Sequence, residues 1–176
     1  MKKIRDMNTN VEASLNHQIN AEEHSSRLYF SMAAWCDKHG FEGSAKYLFT
    51  HAEEERMHMI KLVHYVSERG GTVLTDSLPK PQNEWDSILA VFTEVLAHEK
   101  KVTGMINSIF EVCMQEKDYL TSNFLQWYIQ EQVEEESSAR GVLDKLTLAG
   151  NTQGGLFHFD KELMTMAAAS AVKPAL

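Results

Sequence analysis

Two triplets of candidate metal ligands occur in this sequence with the same internal spacing. They are Glu22, Glu55 and His58, followed by Glu99, Gln132 and Glu135. In each triplet the second residue follows the first by 33 positions, and the third follows the first by 36. Carboxylate and amide oxygens with a single imidazole suit Fe(II) or Mn(II) better than a metal that prefers thiolates, and zinc could also bind. The four carboxylates would balance two divalent ions, so the pattern predicts a dinuclear site.

The repeated spacing predicts two antiparallel helical hairpins. Residues on the two arms of a hairpin face each other when the turn lies midway between them. Gly40 lies midway between Glu22 and His58, and Lys117 lies midway between Glu99 and Glu135. Both midpoints have the sequence of a helix end, so all the candidate ligands are expected at one level near the middle of a four-helix bundle.

Glu99 interrupts the apolar face of the third predicted helix. Its neighbours on that face are Phe92, Val95, Val102 and Ile106. A carboxylate among them points into the core, where an isolated charge is very costly, so it must be protonated, paired or bound to a cation. A buried salt bridge to a lysine or arginine is the alternative to a metal.

Each of these motifs is ambiguous when it is taken alone. A helical Glu-x-x-His such as Glu55 to His58 is common on solvated faces, and the run 134–136 could be a solvated charge run. Tyr29, seven residues after Glu22, could be an ordinary hydrogen-bonded core tyrosine. Four helices that each supply a ligand at one height favour the metal site over these separate explanations.

The composition predicts a mostly helical, acidic protein. The 176 residues include three prolines and nine glycines and carry a formal net charge of −8. This charge argues against nucleic acid as a partner and for cations. No apolar run reaches the roughly 20 residues that cross a bilayer, and the polar N-terminus does not resemble a signal peptide, so no membrane is expected. Cys36 and Cys113 are spaced like reduced core residues, which favours a cytoplasmic location.

Five helices are predicted. The first starts near 8–10 and ends at about 39, the second runs from 41–44 to 70–71, the third from 84 to 116, the fourth from 118 to 148, and a short fifth from 156 to 169. The segment 72–83, with Pro79 and Pro81, is too rich in proline for a helix and can extend over roughly 40 Å, the height of the bundle. This crossover makes the second and third helices parallel. We therefore predict an all-α fold, with a four-helix bundle that carries the site at 1–150 and a fifth helix and tail at 151–176.

Seven segments resemble bacterial non-haem ferritins, members of the ferritin-like di-iron carboxylate family. They are 20–29, 33–36, 41–43, 51–58, 98–99, 123–136 and 144–150. The most specific is the run NFLQWYIQEQVEEE at 123–136. The match covers nearly the whole chain, and it implies a ferritin-like four-helix bundle with one long crossover between helices 2 and 3 and a short fifth C-terminal helix.

The resemblance assigns ligands to two irons and to a third, outer site. The ligands of the first iron would be Glu22, Glu55 and His58, with Gln132 nearby. Those of the second would be Glu55, Glu99 and Glu135, so that one glutamate bridges the two ions. Those of the outer site would be Glu54, Glu131 and Glu134, with Glu135 shared. Tyr29 would lie beside the centre and Trp127 near it.

By the same resemblance, the protein is an iron store with ferroxidase activity. It would oxidise Fe(II) with dioxygen or peroxide at the dinuclear centre. It would then deposit a ferric oxyhydroxide mineral inside a hollow homo-oligomeric cage of 24 subunits. The fifth helices would meet around fourfold axes with Phe159, Leu163 and Met166 facing inward.

One close rival is disfavoured, and two other classes remain open. Bacterioferritins, the haem-binding relatives, carry a second Glu-x-x-His where this chain has Gln132 and Glu135, and a haem methionine where it has Arg56. Met57 is one residue away from that place, which on a helix is a rotation of about 100°, so no haem is expected. A small oxidase or peroxidase of the rubrerythrin type would share the bundle but form no mineral-loaded cage. A purely structural bundle would bind no iron stoichiometrically.

Overall fold

The computed structural model describes residues 7–170, which form five helices and, within that range, no strands. The helices are α1 Thr9–Lys38, α2 Glu42–Glu68, α3 Ile88–Gln115, α4 Tyr119–Ala149 and α5 Gln153–Ser170. The predicted all-α fold, a four-helix bundle with a short fifth helix, is confirmed. Two parts of the predicted organisation lie outside the described residues. They are 1–6 at the start of the predicted bundle segment and 171–176 at the end of the predicted tail. Within residues 7–170, every helix is too short or too polar to span a bilayer.

The helix ends at the two hairpins lie where the sequence predicts them. Gly40, with a φ of 81°, and Lys117, with a φ of 58°, adopt the left-handed conformation in the turns after α1 and α3. Glycine takes this conformation without strain, whereas lysine takes it at an energetic cost. The side chain of Asn8 caps α1 and that of Asp118 caps α4. These caps and turns fix the register of both hairpins.

The crossover between α2 and α3 runs extended along α1 and is held by two asparagines. Asn16 Nδ2 donates to Thr72 O at 2.9 Å, and Asn16 Oδ1 accepts from Leu74 N at 2.7 Å. Asn20 repeats the pattern one turn later, with Leu74 O at 3.0 Å and Asp76 N at 2.8 Å. Four helical residues rise about 6 Å and two extended residues span about 6.6 Å, so the two repeats match. The crossover therefore follows α1 and returns the chain so that α3 runs parallel to α2.

Two predicted helix starts are wrong by a few residues. α3 begins at Ile88 rather than near 84, because the Ser87 side chain caps it by accepting a hydrogen bond from the first turn. α5 begins at Gln153 rather than near 156, because Thr152 accepts a hydrogen bond in the same way. In both cases a hydroxyl cap, rather than the first apolar residue, decides where the helix begins.

Two clusters of buried apolar side chains fill the bundle, one toward each end. The cluster that we call the upper core includes Met32, Leu48, Phe92 and Val142. The cluster that we call the lower core includes Leu15, Leu62, Ile106 and Leu125. On each of the four long helices, the candidate ligands lie between the residues of the two clusters. They form a polar layer at the middle of the bundle.

α5 packs against the upper core of its own chain. Phe159 and Leu163 are buried there, and the ring centroids of Phe159 and Phe92 are 5.6 Å apart. Met166 is partly buried against the same cluster. The expectation that Phe159, Leu163 and Met166 face a fourfold axis is therefore wrong. The apolar face of α5 is covered within the subunit, because the upper core offers it a nearer apolar partner.

Asp160 of α5 caps the start of α2. Its carboxylate accepts hydrogen bonds from the backbone N–H groups of Gly43 and Ser44, each at 2.8 Å, and from the Ser44 hydroxyl at 2.7 Å. Phe41, the N-cap residue of α2, supplies no side-chain cap of its own. A Cβ at Gly43 would lie 1.8 Å from Asp160 O, so only glycine allows this approach. A carboxylate at a helix N-terminus is also favoured by the helix dipole.

Candidate metal centre

The six candidate ligands are buried together in the polar layer and come from all four long helices. They are Glu22 on α1, Glu55 and His58 on α2, Glu99 on α3, and Gln132 and Glu135 on α4. Each is at most 8% exposed, and Tyr29 on α1 is fully buried beside them. The structure thus brings together all the residues that the sequence singles out for the dinuclear site, and their role as ligands stays a prediction.

The first triplet forms a compact group. Glu22, Glu55 and His58 each place one ligand atom within 4.8 Å of the other two. His58 Nδ1 is 3.4 Å from Glu55 Oε2, and Glu22 Oε1 accepts a hydrogen bond from Gln18 Nε2 at 2.8 Å. Within the described residues, Glu22 Oε2 is buried without a hydrogen-bond donor. Because a buried oxygen without a donor is costly, this atom is well placed to accept a cation.

The second triplet is arranged differently, because Glu99 is held by hydrogen bonds. Tyr29 OH donates to Glu99 Oε1, and Gln132 Nε2 lies 3.2 Å from Glu99 Oε2 and 3.3 Å from its backbone O. Burial, together with the Glu99 charge, raises the pKa of Tyr29 well above its usual value, so the phenol stays protonated and donates. Gln132 presents its nitrogen to Glu99. Both oxygens of the Glu99 carboxylate therefore have donors, unlike those of Glu22.

The residues of the predicted outer site are only partly brought together. A second compact group, with ligand atoms within 4.8 Å of one another, is formed by His58, Glu131 and Glu135. Glu54 Oε2 lies 3.7 Å from His51 Nδ1 instead, and Glu134 is exposed outside both groups. The assignment of an outer site to these acidic residues stays a prediction.

His51 belongs to the polar layer, although the spacing of the two triplets does not include it. Its Nδ1 is 3.0 Å from Tyr47 O, and its Nε2 is 3.8 Å from Glu135 Oε2. Its ring meets that of Tyr29 edge-on, with centroids 6.3 Å apart. The sequence signal for His51 is its position one turn before Glu55 on α2. An exposed histidine would show the same spacing, so only the contacts place it here.

Two aromatic residues of α4 fix the position of His58. Tyr128 OH donates to His58 O at 2.7 Å. The Trp127 ring is edge-on to the imidazole at 5.4 Å between centroids, and its face meets Lys61 Nζ at 4.3 Å from the centroid. Trp127 thus lies near the centre, as the sequence resemblance implies. Tyr128 is a supporting residue that sequence reasoning missed, because a tyrosine at a core position is usually only packing.

Burial and mutual repulsion keep protons on the carboxylates of the polar layer. Burial and then the charge of Glu55 raise the pKa of Glu22 well above its usual value. Burial and the charges of Glu99 and Glu135 raise the pKa of Glu55 in the same direction. Burial and the charges of Glu99 and Glu54 raise the pKa of Glu135 to about 8. So many neighbouring carboxylates ionise together only when cations are present to compensate them.

Comparisons with known proteins agree with this geometry. Residues 12–149 match the family described as Ferritin-like domain. The chain is 45% identical to a probable bacterial non-heme ferritin-like protein of Haemophilus influenzae, over 89% of this chain and 95% of the relative. It is 43% identical to the bacterial non-heme ferritin of Escherichia coli O6:H1, over 86% of this chain and 92% of the relative.

A solved structure is similar at the same level. An open pore ferritin from the hyperthermophilic archaeon Archaeoglobus fulgidus superposes with a TM-score of 0.89 and 45% sequence identity. The superposition covers 92% of this chain and 98% of the other. The likeness therefore extends over nearly the whole bundle and is not limited to the polar layer.

Proposed function

This chain belongs to the ferritin family, and from that premise we propose that it stores iron and oxidises Fe(II) before storage. The observation that carries the proposal is the polar layer. Four helices bury carboxylates and an imidazole between two apolar cores, and one buried carboxylate oxygen has no donor within the described residues. Divalent cations that replace protons would compensate the buried carboxylates. In a purely structural bundle these carboxylates would only lower stability.

Two Fe(II) ions are the substrates of this centre. The first binds the compact group of Glu22, Glu55 and His58, whose atoms already lie close together. The second binds on the side of Glu99 and Glu135, and Glu55 bridges the two ions. The resemblance puts Gln132 near the first ion, but its amide contacts Glu99, so we place it on the side of the second ion.

Proton release accompanies iron binding. Because burial raises the pKa of Glu22, Glu55 and Glu135, these three carboxyl groups give up their protons when the two Fe(II) ions bind. Each Fe(II) then loses one electron, and one dioxygen molecule takes two electrons and two protons to become hydrogen peroxide. Peroxide can serve as the oxidant in place of dioxygen. The contribution of the protein is to place two ions within reach of one oxidant and to neutralise their charge.

The acidic residues beside the centre give the ferric product a way out. Glu131 lies with His58 and Glu135, and Glu134 is exposed one residue before Glu135. Glu54 lies on the facing helix α2. Carboxylates that can change between terminal and bridging binding would pass the product from the buried layer to the surface. These residues form the proposed outer iron site.

Storage requires an enclosure that one chain of this size cannot form. We infer a cytoplasmic, hollow cage of 24 subunits that holds a ferric oxyhydroxide mineral. In each subunit the bundle, 1–150, carries the ferroxidase centre, and 151–176 form the fifth helix and tail. Haem is not part of this proposal, since the place of the haem methionine is taken by Arg56.

Replacing Glu55 tests the centre. Glu55→Gln keeps the shape of the side chain and removes the bridging charge, so the initial rate of Fe(II) oxidation should fall by about 100-fold or more, beyond the usual effect of changing a supporting residue. The rate is measured as oxygen uptake and as absorbance of the ferric product after Fe(II) addition. Glu53→Gln is the matched control, because Glu53 is exposed on the same helix and the change in charge is identical. An unchanged rate in Glu55→Gln would contradict the proposal.

The native mass and iron content test the storage role. After aerobic loading with Fe(II), size-exclusion chromatography followed by iron staining should show iron in a particle of cage size. A small iron-containing oligomer would favour an oxidase or peroxidase of the rubrerythrin type. A protein peak without iron would favour a structural bundle.

A further inference from the structure

A groove between α3 and α4 leads to the second triplet. Its volume is about 490 Å³. Its walls include Ile106 and Asn107 on α3, and Ile129 and Val133 on α4. Asn107 and Val133 are exposed, whereas Ile106 is buried. The groove thus reaches from the surface of the bundle to its core.

One lining residue, Gln132, touches a carboxylate of the candidate centre, and Thr103 lies beside it. Gln132 Nε2 lies 3.2 Å from Glu99 Oε2, and Thr103 Oγ1 lies 3.1 Å from Glu99 O. Gln132 Nε2 and Thr103 Oγ1 are 3.4 Å apart. The Gln132 amide, with the Thr103 hydroxyl beside it, therefore stands between the groove and the carboxylate of Glu99. A turn of the Gln132 side chain would open the groove to the second ion.

The charges that line the groove compensate one another. They are Glu136 and Arg140, and Arg140 Nη2 lies 3.5 Å from Glu136 Oε2. The other Glu136 oxygen accepts a hydrogen bond from Thr103 Oγ1 at 2.7 Å. The remaining lining residues are apolar or neutral. A cation gains little along such a path, whereas a small neutral molecule finds apolar walls that need no desolvation of charge.

The side of the centre that faces away from the groove is acidic. Glu131 belongs to a compact group with His58 and Glu135, and Glu134 beside it is exposed. Glu54 on α2 is within 3.7 Å of His51 and adds to the acidic side. Cations are attracted to this side and gain ligands there. The centre therefore has one acidic approach and one electrically balanced approach.

We propose that the groove between α3 and α4 admits dioxygen to the Glu99 side of the centre, and that Gln132 is the positioning residue that separates the two. The inference rests on the proposed ferroxidase function and deepens it. The oxidant then enters apart from the acidic residues, which stay available to iron. The groove volume of about 490 Å³ is many times the roughly 30 Å³ that one water molecule takes up in the liquid. A molecule of two heavy atoms therefore fits in the groove.

Filling the groove tests the proposal. The double variant Val133→Trp with Asn107→Trp places two large rings in it from opposite walls, at exposed positions that should tolerate them. The Michaelis constant for dioxygen should rise by about fivefold or more, while the rate at saturating dioxygen and the anaerobic affinity for Fe(II) stay at wild-type values. The matched control is Gln126→Trp with Ser108→Trp, at exposed positions on the same helices outside the groove.

Each outcome decides the question. An unchanged Michaelis constant for dioxygen in the filled variant, with wild-type oxidation intact, would overturn the groove inference and leave the proposed function standing. Slower Fe(II) binding in the filled variant or in Glu136→Gln would show that the groove conducts iron and would overturn the inference. A wild-type protein that oxidises no Fe(II) would instead refute the proposed function. If the double variant fails to assemble, Val133→Phe alone gives the same test at smaller amplitude.

Discussion

The hairpin of α1 and α2 and the hairpin of α3 and α4 place their polar residues at equivalent positions with different chemistry. Glu22 corresponds to Glu99 as the first residue of each triplet, and Glu55 corresponds to Gln132 as the second. In the first hairpin, one oxygen of Glu22 is buried without a donor. In the second, both oxygens of Glu99 accept hydrogen bonds. The same spacing thus leaves one Glu22 oxygen in the first hairpin without a neutral donor, whereas both Glu99 oxygens in the second hairpin have one.

This difference predicts the order in which the ions bind. An ion in the first hairpin replaces the protons that burial keeps on Glu22 and Glu55, and it displaces no hydrogen bond between Glu22 Oε2 and another residue's neutral donor. An ion in the second hairpin must displace hydrogen bonds from Tyr29 and Gln132 to Glu99 before it gains the same contacts. The first position should therefore fill at a lower Fe(II) concentration than the second.

Matched substitutions in the two hairpins give the largest expected effect. Glu22→Gln should lower the anaerobic affinity of the first ion by roughly 100-fold, because it removes a charged ligand from the compact group. Glu99→Gln should leave that affinity nearly unchanged and abolish only the second binding step. Calorimetric titration with Fe(II) measures both steps. Equal losses in the two variants would mean that the halves are equivalent.

Tyr29→Phe should have a smaller effect, whose size depends on whether metal is bound. Loss of the phenol leaves one Glu99 oxygen without its donor, which should destabilise the metal-free protein by about 1–3 kcal/mol. The same oxygen is then free for the second ion, so the loss of stability should be smaller in the metal-loaded protein. Urea denaturation with and without Mn(II), which is not oxidised under these conditions, measures the difference. A loss that is equal in both states would contradict the comparison of the hairpins.

The stability of the metal-free protein should depend on Glu135. Folding raises the pKa of this carboxyl group to about 8, from about 4.3 in an unfolded chain. Its contribution to the free energy of unfolding is therefore complete below the unfolded-state pKa and is lost as the pH rises through the folded-state pKa. As the pH rises between these two pKa values, the free energy of unfolding of the wild type should fall relative to that of Glu135→Gln, by on the order of a few kcal/mol.

Urea denaturation of the metal-free wild type and the Glu135→Gln variant across this pH range measures that change. Bound Mn(II) should remove it, since the ion takes the place of the proton. A difference between the two proteins that is constant with pH would contradict the raised pKa. The pH dependence reports on the whole cluster, because neighbouring carboxylates supply the repulsion.

The outer site should give the smallest effect and should separate two neighbouring glutamates. Glu131→Gln should slow the later turnovers of Fe(II) oxidation, because Glu131 lies in a compact group with His58 and Glu135. Glu134→Gln should slow them less, because Glu134 is exposed outside that group. The first turnover should be unchanged in both variants. Sequential additions of Fe(II) measure first and later turnovers, and a larger effect of Glu134→Gln would reverse this assignment.

The sequence predicts the polar layer because the layer depends on local register. The midpoints Gly40 and Lys117 fix which residues of each hairpin face each other, and both adopt turn conformations. The position of Glu99 within an apolar stripe already requires that its charge be compensated. These are short-range properties of helices, so one sequence is enough to find them.

The features that the sequence does not predict depend on contacts between distant segments. The hydrogen bonds of Gln132 to Glu99 join residues on two helices, and the side chain could equally have presented its oxygen. The docking of α5 on its own bundle depends on Asp160 meeting Gly43, a pair separated by 117 positions. The periodicity of α5 shows an apolar face but does not identify the surface that covers it.

The cap that Asp160 places on α2 has a consequence for protein synthesis. Gly43 leaves the ribosome 117 residues before Asp160, which at about 5–20 residues per second is a delay of roughly 6–23 s. During that time the first N–H groups of α2 have only water as partners. The helix that bears Glu55 and His58 is thus capped only after all four long helices have been translated. A message cut short within α5 would yield a nascent chain with every ligand in place and its second helix frayed at the start.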